Sequence, residues 1–251
     1  MRRAFILFSF LLVPGWLLAQ EALLKFERAN EAYREGKYDS AATMYEEIAS
    51  NGFESPGLYY NLGNARFKLK NIPAAILNYE RARRLAPHDE DIAYNLRLAN
   101  LRIIDKIDAV PEFFLVGWWN GIIGLYSSSG WAAIGIALMW GAVFSGGIVL
   151  VVRAMPVRRI FAVIGVGAFL VACFAYVAVA SQHRREISER YAIVFSQSIP
   201  IKSSPDAKSL DLFVLHEGVK VELLDEVENW SKIRLPDGKI GWIPSEDLQV
   251  I

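Results

Sequence analysis

Side chains able to act as nucleophile, base or metal ligand are few and scattered in this chain of 251 residues. Its three histidines, His88, His183 and His216, lie in separate stretches with no paired ligand spacing. His216, in Leu215-His216-Glu217-Gly218, reads as a loop residue, and Asp225, Glu226 and Glu228 read as a solvated acidic loop. The one cysteine, Cys173, is embedded in an apolar run. It excludes an intrachain disulfide framework and has no resolving thiol for redox sensing. Phosphate loops, G-x-S-x-G elbows and H-E-x-x-H helices are missing from the sequence. Catalysis needs a nucleophile and base, a carboxylate pair or a metal held close in space. The chain is therefore expected to be no enzyme, with no catalytic, metal-ligating or cofactor-binding residues and no cofactor. Its formal charge is zero and no basic stripe is present, which argues against nucleic acid as a partner.

The remaining chemistry is that of binding. Shifting the chain against itself by 34 residues aligns Ala29 with Gly63, Asn30 with Asn64, Ala41 with Ala75 and Tyr45 with Tyr79. This period is that of the tetratricopeptide repeat, a helix–turn–helix unit that stacks on its neighbours. Small residues let the paired helices approach, and Tyr45 and Tyr79 are expected to fill the space between hairpins. Tyr59, Leu62, Gly63, Ala75, Tyr79, Ala82 and Pro87 match the repeat pattern position by position, whereas the first unit has Arg28 and Ile48 in place of Leu62 and Ala82. Helices are expected over Ala22–Glu35, Tyr38–Asn51, Gly57–Leu69, Ile72–Leu85 and a capping helix over Asp89–Asp105. The positions that face the groove in such repeats fall on Phe26, Asn30, Tyr33, Tyr60, Asn61, Asn64, Phe67, Tyr94 and Asn95. Asparagine can bond both N–H and C=O of an extended peptide, which suits it to a peptide groove. The bland alternative for any one of these residues is packing or solvated surface. Repeats that clamp a C-terminal carboxylate add lysine or arginine, but Phe26, Asp91 and Asn95 occupy those places here, so a charged C-terminus is not the expected ligand. Replacing Asn61 and Asn64 by alanine is expected to cost partners but not the fold.

From Tyr191 to Ile251 the periodicity changes to short alternating runs. Strands are expected over Ala192–Phe195, Ile199–Lys202, Val219–Leu224, Trp230–Leu235 and Lys239–Pro244. Pro236-Asp237-Gly238 is a tight turn between the last two. Five strands in about sixty residues suggest a closed barrel that hides its own edges. Leu215-His216-Glu217-Gly218, Asn229-Trp230-Ser231-Lys232-Ile233 and Asp237-Gly238-Lys239-Ile240-Gly241-Trp242-Ile243-Pro244 resemble bacterial SH3-like domains. Some members bind cell-wall peptides through aromatic residues near strand ends. That resemblance makes Trp230 and Trp242 the candidate ligand-binding residues, with burial in the barrel core as the alternative.

Between these parts lie two uncharged apolar runs, Trp131–Val152 and Ile160–Ala180. Each exceeds the ~18–20 residues that cross a bilayer core as a helix. An even number of crossings puts both flanking parts on one face of the membrane. Arg2-Arg3, the apolar stretch Ala4–Leu18 and Ala19 read as a secretory signal peptide, with an uncleaved third membrane helix as the alternative. Either reading exports the flanking parts, and the hairpin loop Arg153–Arg159, with three arginines, fits the cytoplasmic side. Phe113-Phe114-Leu115-Val116-Gly117-Trp118-Trp119 and the residues after it are too short to span and suit the headgroup layer. Ser127–Ser129 can cap the first membrane helix.

The expected fold class is a multidomain membrane protein: an α-helical repeat solenoid, a transmembrane helical hairpin, then an all-β SH3-like barrel. The expected boundaries are 1–19 signal peptide, 20–110 repeats with their cap, 111–130 interfacial segment, 131–152 first span, 153–159 loop, 160–180 second span and 187–251 SH3-like domain. This order resembles, over the full length, the E-type tetratricopeptide/SH3-like members of the Bacteroides aerotolerance (Bat) proteins. The resemblance is carried by Ala29–Tyr38, Tyr60-Asn61-Leu62-Gly63-Asn64, Trp118-Trp119 and Gly241-Trp242-Ile243-Pro244. It implies partners among membrane proteins with von Willebrand A domains and other Bat-type proteins, linked to a MoxR-class ATPase, and a role in oxygen or stress tolerance. The expected function is a non-enzymatic scaffold in the bacterial inner membrane, two-pass, with both modules periplasmic. The alternative is an envelope sensor or anchor that binds peptidoglycan through the SH3-like domain.

Overall fold

A computed structural model describes residues 19–111, 113–188 and 190–251. The expected leader, apart from Ala19, lies outside the described residues. Five helices open the described chain: α1 (residues 19–34), α2 (Tyr38–Ser50), α3 (Pro56–Lys68), α4 (Ile72–Leu85) and α5 (Glu90–Asn100). Side chains mark the starts of α3, α4 and α5. Ser55 accepts from the Leu58 N–H at 3.1 Å, Asn71 from the Ala74 N–H at 3.2 Å, and Asp89 from the N–H groups of Asp91 and Ile92. Tyr45 and Tyr79 are buried between the hairpins, and Ile48, the departure in the first unit, is buried with them. The last helix stops at Asn100, well short of the expected Asp105. Residues 101–109 leave the helix because Ile103 and Ile107 have apolar partners elsewhere, and tertiary burial overrides helix propensity.

Seven strands follow: β1 (Arg190–Val194), β2 (Ser198–Lys202), β3 (Asp211–His216), β4 (Lys220–Val227), β5 (Trp230–Arg234), β6 (Ile240–Pro244) and β7 (Leu248–Val250). They form one antiparallel sheet in the order β3-β2-β6-β5-β4-β1-β7. Alternation buries Ile199 and Ile201, Ser231 and Ile233, and Gly241 and Ile243, and turns their neighbours outward. A Cβ on Gly241 would collide with Ile201, so glycine there lets β6 close on β2. Asp237 and Gly238 make the expected tight turn, with the Asp237 carboxylate accepting from the Lys239 N–H at 3.1 Å. Two strands are additional to those expected. β3 escapes pattern reading because Leu212-Phe213-Val214-Leu215 does not alternate, and β7 is only three residues long. The hydrogen-bonded order also ends at β3 and β7 among the described residues, so closure does not remove these two edges as expected.

The repeat and the sheet belong to one compact unit, comprising, among the described residues, 19–109 together with Arg190–Ile251. Each lends apolar residues to the other. Ile193 of β1 is fully buried in the cluster of Ala75, Ile76, Tyr79, Leu96 and Ala99, with Phe195 and Ile251 beside it. In return Ile107 packs against the core of the sheet. Polar contacts tie the joint. The His216 N–H donates to Asp105 Oδ2 at 2.7 Å, and His216 Nδ1 lies 3.0 Å from Asp105 Oδ1. Lys220 Nζ and Arg83 both donate to the buried Glu80 carboxylate, at 3.0 and 2.6 Å. Arg81 and Arg84 donate to the carbonyl oxygens of Val250 and Ile251, each at 2.8 Å. His216 therefore ends a strand and serves this joint, where a loop position was expected.

The second unit, Val110–Glu189, holds α6 (Phe114–Ile123), α7 (Ser128–Val151) and α8 (Met155–Ser188). α7 and the first thirty residues of α8 are long and apolar enough to cross a membrane. Ser127 caps α7 as expected, accepting from the Gly130 N–H at 3.2 Å. The connection is shorter than the expected loop: α8 begins at Met155, because proline at Pro156 is tolerated in a first helical turn. Only Val152, Arg153 and Ala154 stay outside a helix. The helices meet through small residues. A Cβ on Gly135 would lie 3.4 Å from Ala175, one on Gly165 would lie 3.2 Å from Ser145, and the Ser145 hydroxyl donates to the Phe161 carbonyl. Phe114, Leu115 and Trp118 of α6 are exposed, whereas Trp119 packs on Phe174.

Candidate functional site

The concave residues form a ladder that repeats with the 34-residue period. Asn30 Oδ1 accepts from Tyr45 Oη at 2.6 Å and from Asn61 Nδ2 at 3.0 Å. One repeat later, Asn64 Oδ1 accepts from Tyr79 Oη and Asn95 Nδ2, both at 2.8 Å. Asn95 Nδ2 also donates to Tyr60 Oη at 3.0 Å. Ring contacts keep the same register: Phe26 meets Tyr45 at 5.7 Å, and Tyr60 meets Tyr79 at 6.1 Å. The backbone reason is simple. Each first helix of a repeat projects its asparagine toward the tyrosine of the following helix and the asparagine of the next first helix. Both lone pairs of each Oδ1 are thereby used.

This arrangement changes the chemistry expected of the asparagines. The oxygens of Asn30 and Asn64 serve the solenoid and are not free for a peptide. What remains without a bond to another described residue is the amide Nδ2 of Asn30 and Asn64, and Oδ1 of Asn61 and Asn95. Each rung thus retains donor and acceptor capacity, the complement of an extended main chain. Asn30, Tyr33, Arg34, Tyr45, Asn61 and Asn64 line a cavity of about 250 Å³ at the first rung. Phe67 is half-buried against the second repeat's core, and Tyr94 is exposed. Tyr33 of this lining makes an edge contact with Tyr38 at 5.2 Å.

Two expectations follow from the ladder. Asn64→Ala strips the acceptor from the buried Tyr79 hydroxyl, so it should destabilise the repeat by about 1–3 kcal/mol. Urea unfolding of the variant measures this; an unchanged midpoint would show that the rung contributes nothing. The Asn61/Asn64 double replacement is therefore expected to lower stability in addition to costing partners. The tyrosines also bear on pH. Burial pushes the Tyr45 phenol up to about 12 and raises that of Tyr79 as well. An unfolded tyrosine ionises near ~10, so the folded state keeps protons that the unfolded state sheds above that pH. Stability is then full below ~10 and falls by roughly 1.4 kcal/mol per pH unit per buried tyrosine up to about 12. Tyrosinate absorbance of the buried pair, read as the difference from a Tyr45→Phe, Tyr79→Phe variant, should appear together with loss of helix; its appearance with the helices intact would contradict this.

Trp230 and Trp242 lie on the outer face of the sheet, half-buried and outside its core cluster. Register sets Trp230 opposite Pro244 and Trp242 opposite Lys232, so the two rings are diagonal neighbours on one face. Lys232 Nζ sits 5.8 Å from the Trp242 ring centre. The surface offers stacking area beside a cation and nothing nucleophilic. Among the described residues no group of three or more His, Cys, Asp or Glu could hold a metal ion. The residues that pattern reading missed are those of the joint, Glu80, Asp105 and Lys220. Their only signal was the apolar spacing of Ile103 and Ile107 beyond the cap.

Comparison with known proteins agrees with these modules. Residues 56–89 match the tetratricopeptide repeat family and residues 198–249 match the bacterial SH3 domain family. A stretch of 66 residues is 44% identical to the BBSome complex member BBS4 of Bos taurus, and equally to that of Mus musculus. The match covers 26% of this chain and 13% of each relative's length. The chain thus combines a tetratricopeptide repeat, two apolar helices and an SH3-like antiparallel domain. Both modules are of types that serve protein interaction, and domains of the bacterial SH3 type also suggest peptidoglycan as a ligand.

Proposed function

We propose that this protein is a membrane-anchored, non-enzymatic scaffold of the bacterial inner membrane, holding its repeat and SH3-like modules in the periplasm. In that role it assembles a Bat-type complex with membrane proteins that carry von Willebrand A domains. The observation that carries the reading is the joint between the modules. Residues on either side of the apolar hairpin pack into one unit, which requires an even number of crossings between them. The ladder leaves donors and acceptors facing a groove, a surface suited to an extended segment of a partner. The local likeness to a complex member elsewhere is in keeping with an assembly role. Crosslinking in native membranes, followed by pull-down of the full chain and mass spectrometry, tests the reading. Recovery of von Willebrand A-domain proteins supports it, and their consistent absence rejects it.

A second reading rests on Trp230 and Trp242, whose half-exposed rings beside Lys232 suit a wall peptide or sugar. Full-length protein in detergent should then sediment with purified peptidoglycan, and Trp230→Ala with Trp242→Ala should abolish this without shifting the unfolding midpoint. The full chain is the right probe, because an isolated 191–251 fragment would lose Ile107 from its core.

A further inference from the structure

We infer that the α7–α8 hairpin holds an anionic phospholipid, one acyl chain lying in a groove between the helices and the phosphate bound by arginines at the hairpin turn. The proposal presupposes that the hairpin spans a bilayer. A groove of about 470 Å³ runs between the helices, within the size range of small-molecule sites. Ala142, Gly146 and Val149 line it from α7, and Ala162, Gly165 and Phe169 from α8. Its walls are apolar along their whole length, as an acyl chain requires.

The charge at one end selects the headgroup. Arg153, Arg158 and Arg159 are all exposed, and none makes an ion pair with another described residue. Between Phe113 and Arg185 the sequence contains no Asp or Glu, so no carboxylate from the hairpin competes. Helical spacing connects charge and groove. Arg158 precedes Phe161 and Ala162 by three and four residues, which heads the same stripe that continues to Gly165 and Phe169. Long helical side chains lean toward the helix N-terminus, which carries the Arg158 guanidinium from the turn end of the groove toward the headgroup layer. Guanidinium groups bind phosphate in a two-pronged fork that lysine cannot reproduce. Orientation of the hairpin by positive charge would need the arginines but has no use for the groove.

Full-length protein in maltoside micelles, titrated with phosphatidylglycerol or phosphatidylcholine and read by native mass spectrometry, tests the site. Wild type should retain phosphatidylglycerol about tenfold better than phosphatidylcholine. Arg153→Lys with Arg158→Lys and Arg159→Lys keeps the net charge and should bring the preference to within roughly twofold. Gly146→Leu fills the groove from a position where a Cβ meets nothing within 4 Å, and should release the lipid with the arginines intact. Equal retention of both lipids by wild type overturns the proposal. Displacement of phosphatidylglycerol by added inorganic phosphate, with Gly146→Leu inert, reduces the site to a phosphate-binding surface and also overturns it. Carbonate extraction of native membranes is a separate test: release of the protein would reject the anchor itself.

Discussion

Gly218→Val should separate the repeat from the sheet, turning one cooperative unfolding transition into two. Gly218 closes the β3–β4 turn at φ +89°, and its N–H donates to the Val194 carbonyl at 2.8 Å. An L side chain in that left-handed region costs roughly 1–2 kcal/mol, and a β-branched one is worse. The second penalty belongs to the joint. A Cβ at this position would stand 2.5 Å from Ile103 Cγ2 and 3.3 Å from Ile76 Cδ1. Neither isoleucine can withdraw freely, since Ile76 is fully buried and Ile103 packs in the same cluster. Overpacking adds about 1–3 kcal/mol, and undocking relieves it. Hydrogen exchange should therefore rise at the His216 amide, which donates to Asp105 across the joint, whereas the amides of α2 and α3 keep their protection. A single transition with wild-type protection at the His216 amide would reject the joint as a stabilising element.

The largest loss expected within the repeat is at Gly63, which is buried on α3 against Tyr79. A Cβ there would lie 2.7 Å from both Cδ1 and Cε1 of the tyrosine ring. The ring cannot swing aside, because its hydroxyl is bonded to Asn64 and its face meets Tyr60. Gly63→Val should cost about 3 kcal/mol or more, through overpacking and a β-branched side chain in mid-helix. Thermal unfolding followed by helical circular dichroism measures it. Adding Tyr79→Ala makes room, so the double variant should lose less than the sum of the two single losses. Strict additivity would mean that the two residues do not press on each other.

These two glycines were unequally legible. Gly63 stands out from sequence because the 34-residue shift pairs it with Ala29, and smallness at that place is a packing rule of stacked helices. Gly218 read only as a turn residue, since its neighbours Ile76 and Ile103 belong to a different periodic segment. The asparagines show the same limit. Their spacing announced a shared face, but spacing does not say whether an amide points at a partner or at the next repeat. Only the distances to Tyr45 and Tyr79 show that two of the oxygens are spent inside. Trp230 and Trp242 could be core or surface by pattern, and the register of β5 with β6 places them outside.

What the sequence alone determined is everything local and periodic: the stacked helical hairpins, the two apolar helices and the alternating strands around Trp230 and Trp242. Such features follow from side-chain period, turn residues and length, each satisfied within a few dozen residues. The tertiary structure decided the stop of α5 at Asn100, the edge strands β3 and β7, and the union of repeat and sheet through Ile193, Ile107, Glu80 and Asp105. The stop of α5 and the joint depend on contacts between segments more than eighty residues apart, and β7 on pairing with β1 across most of the sheet's sequence; an isolated segment carries no signal of the surface that will cover it.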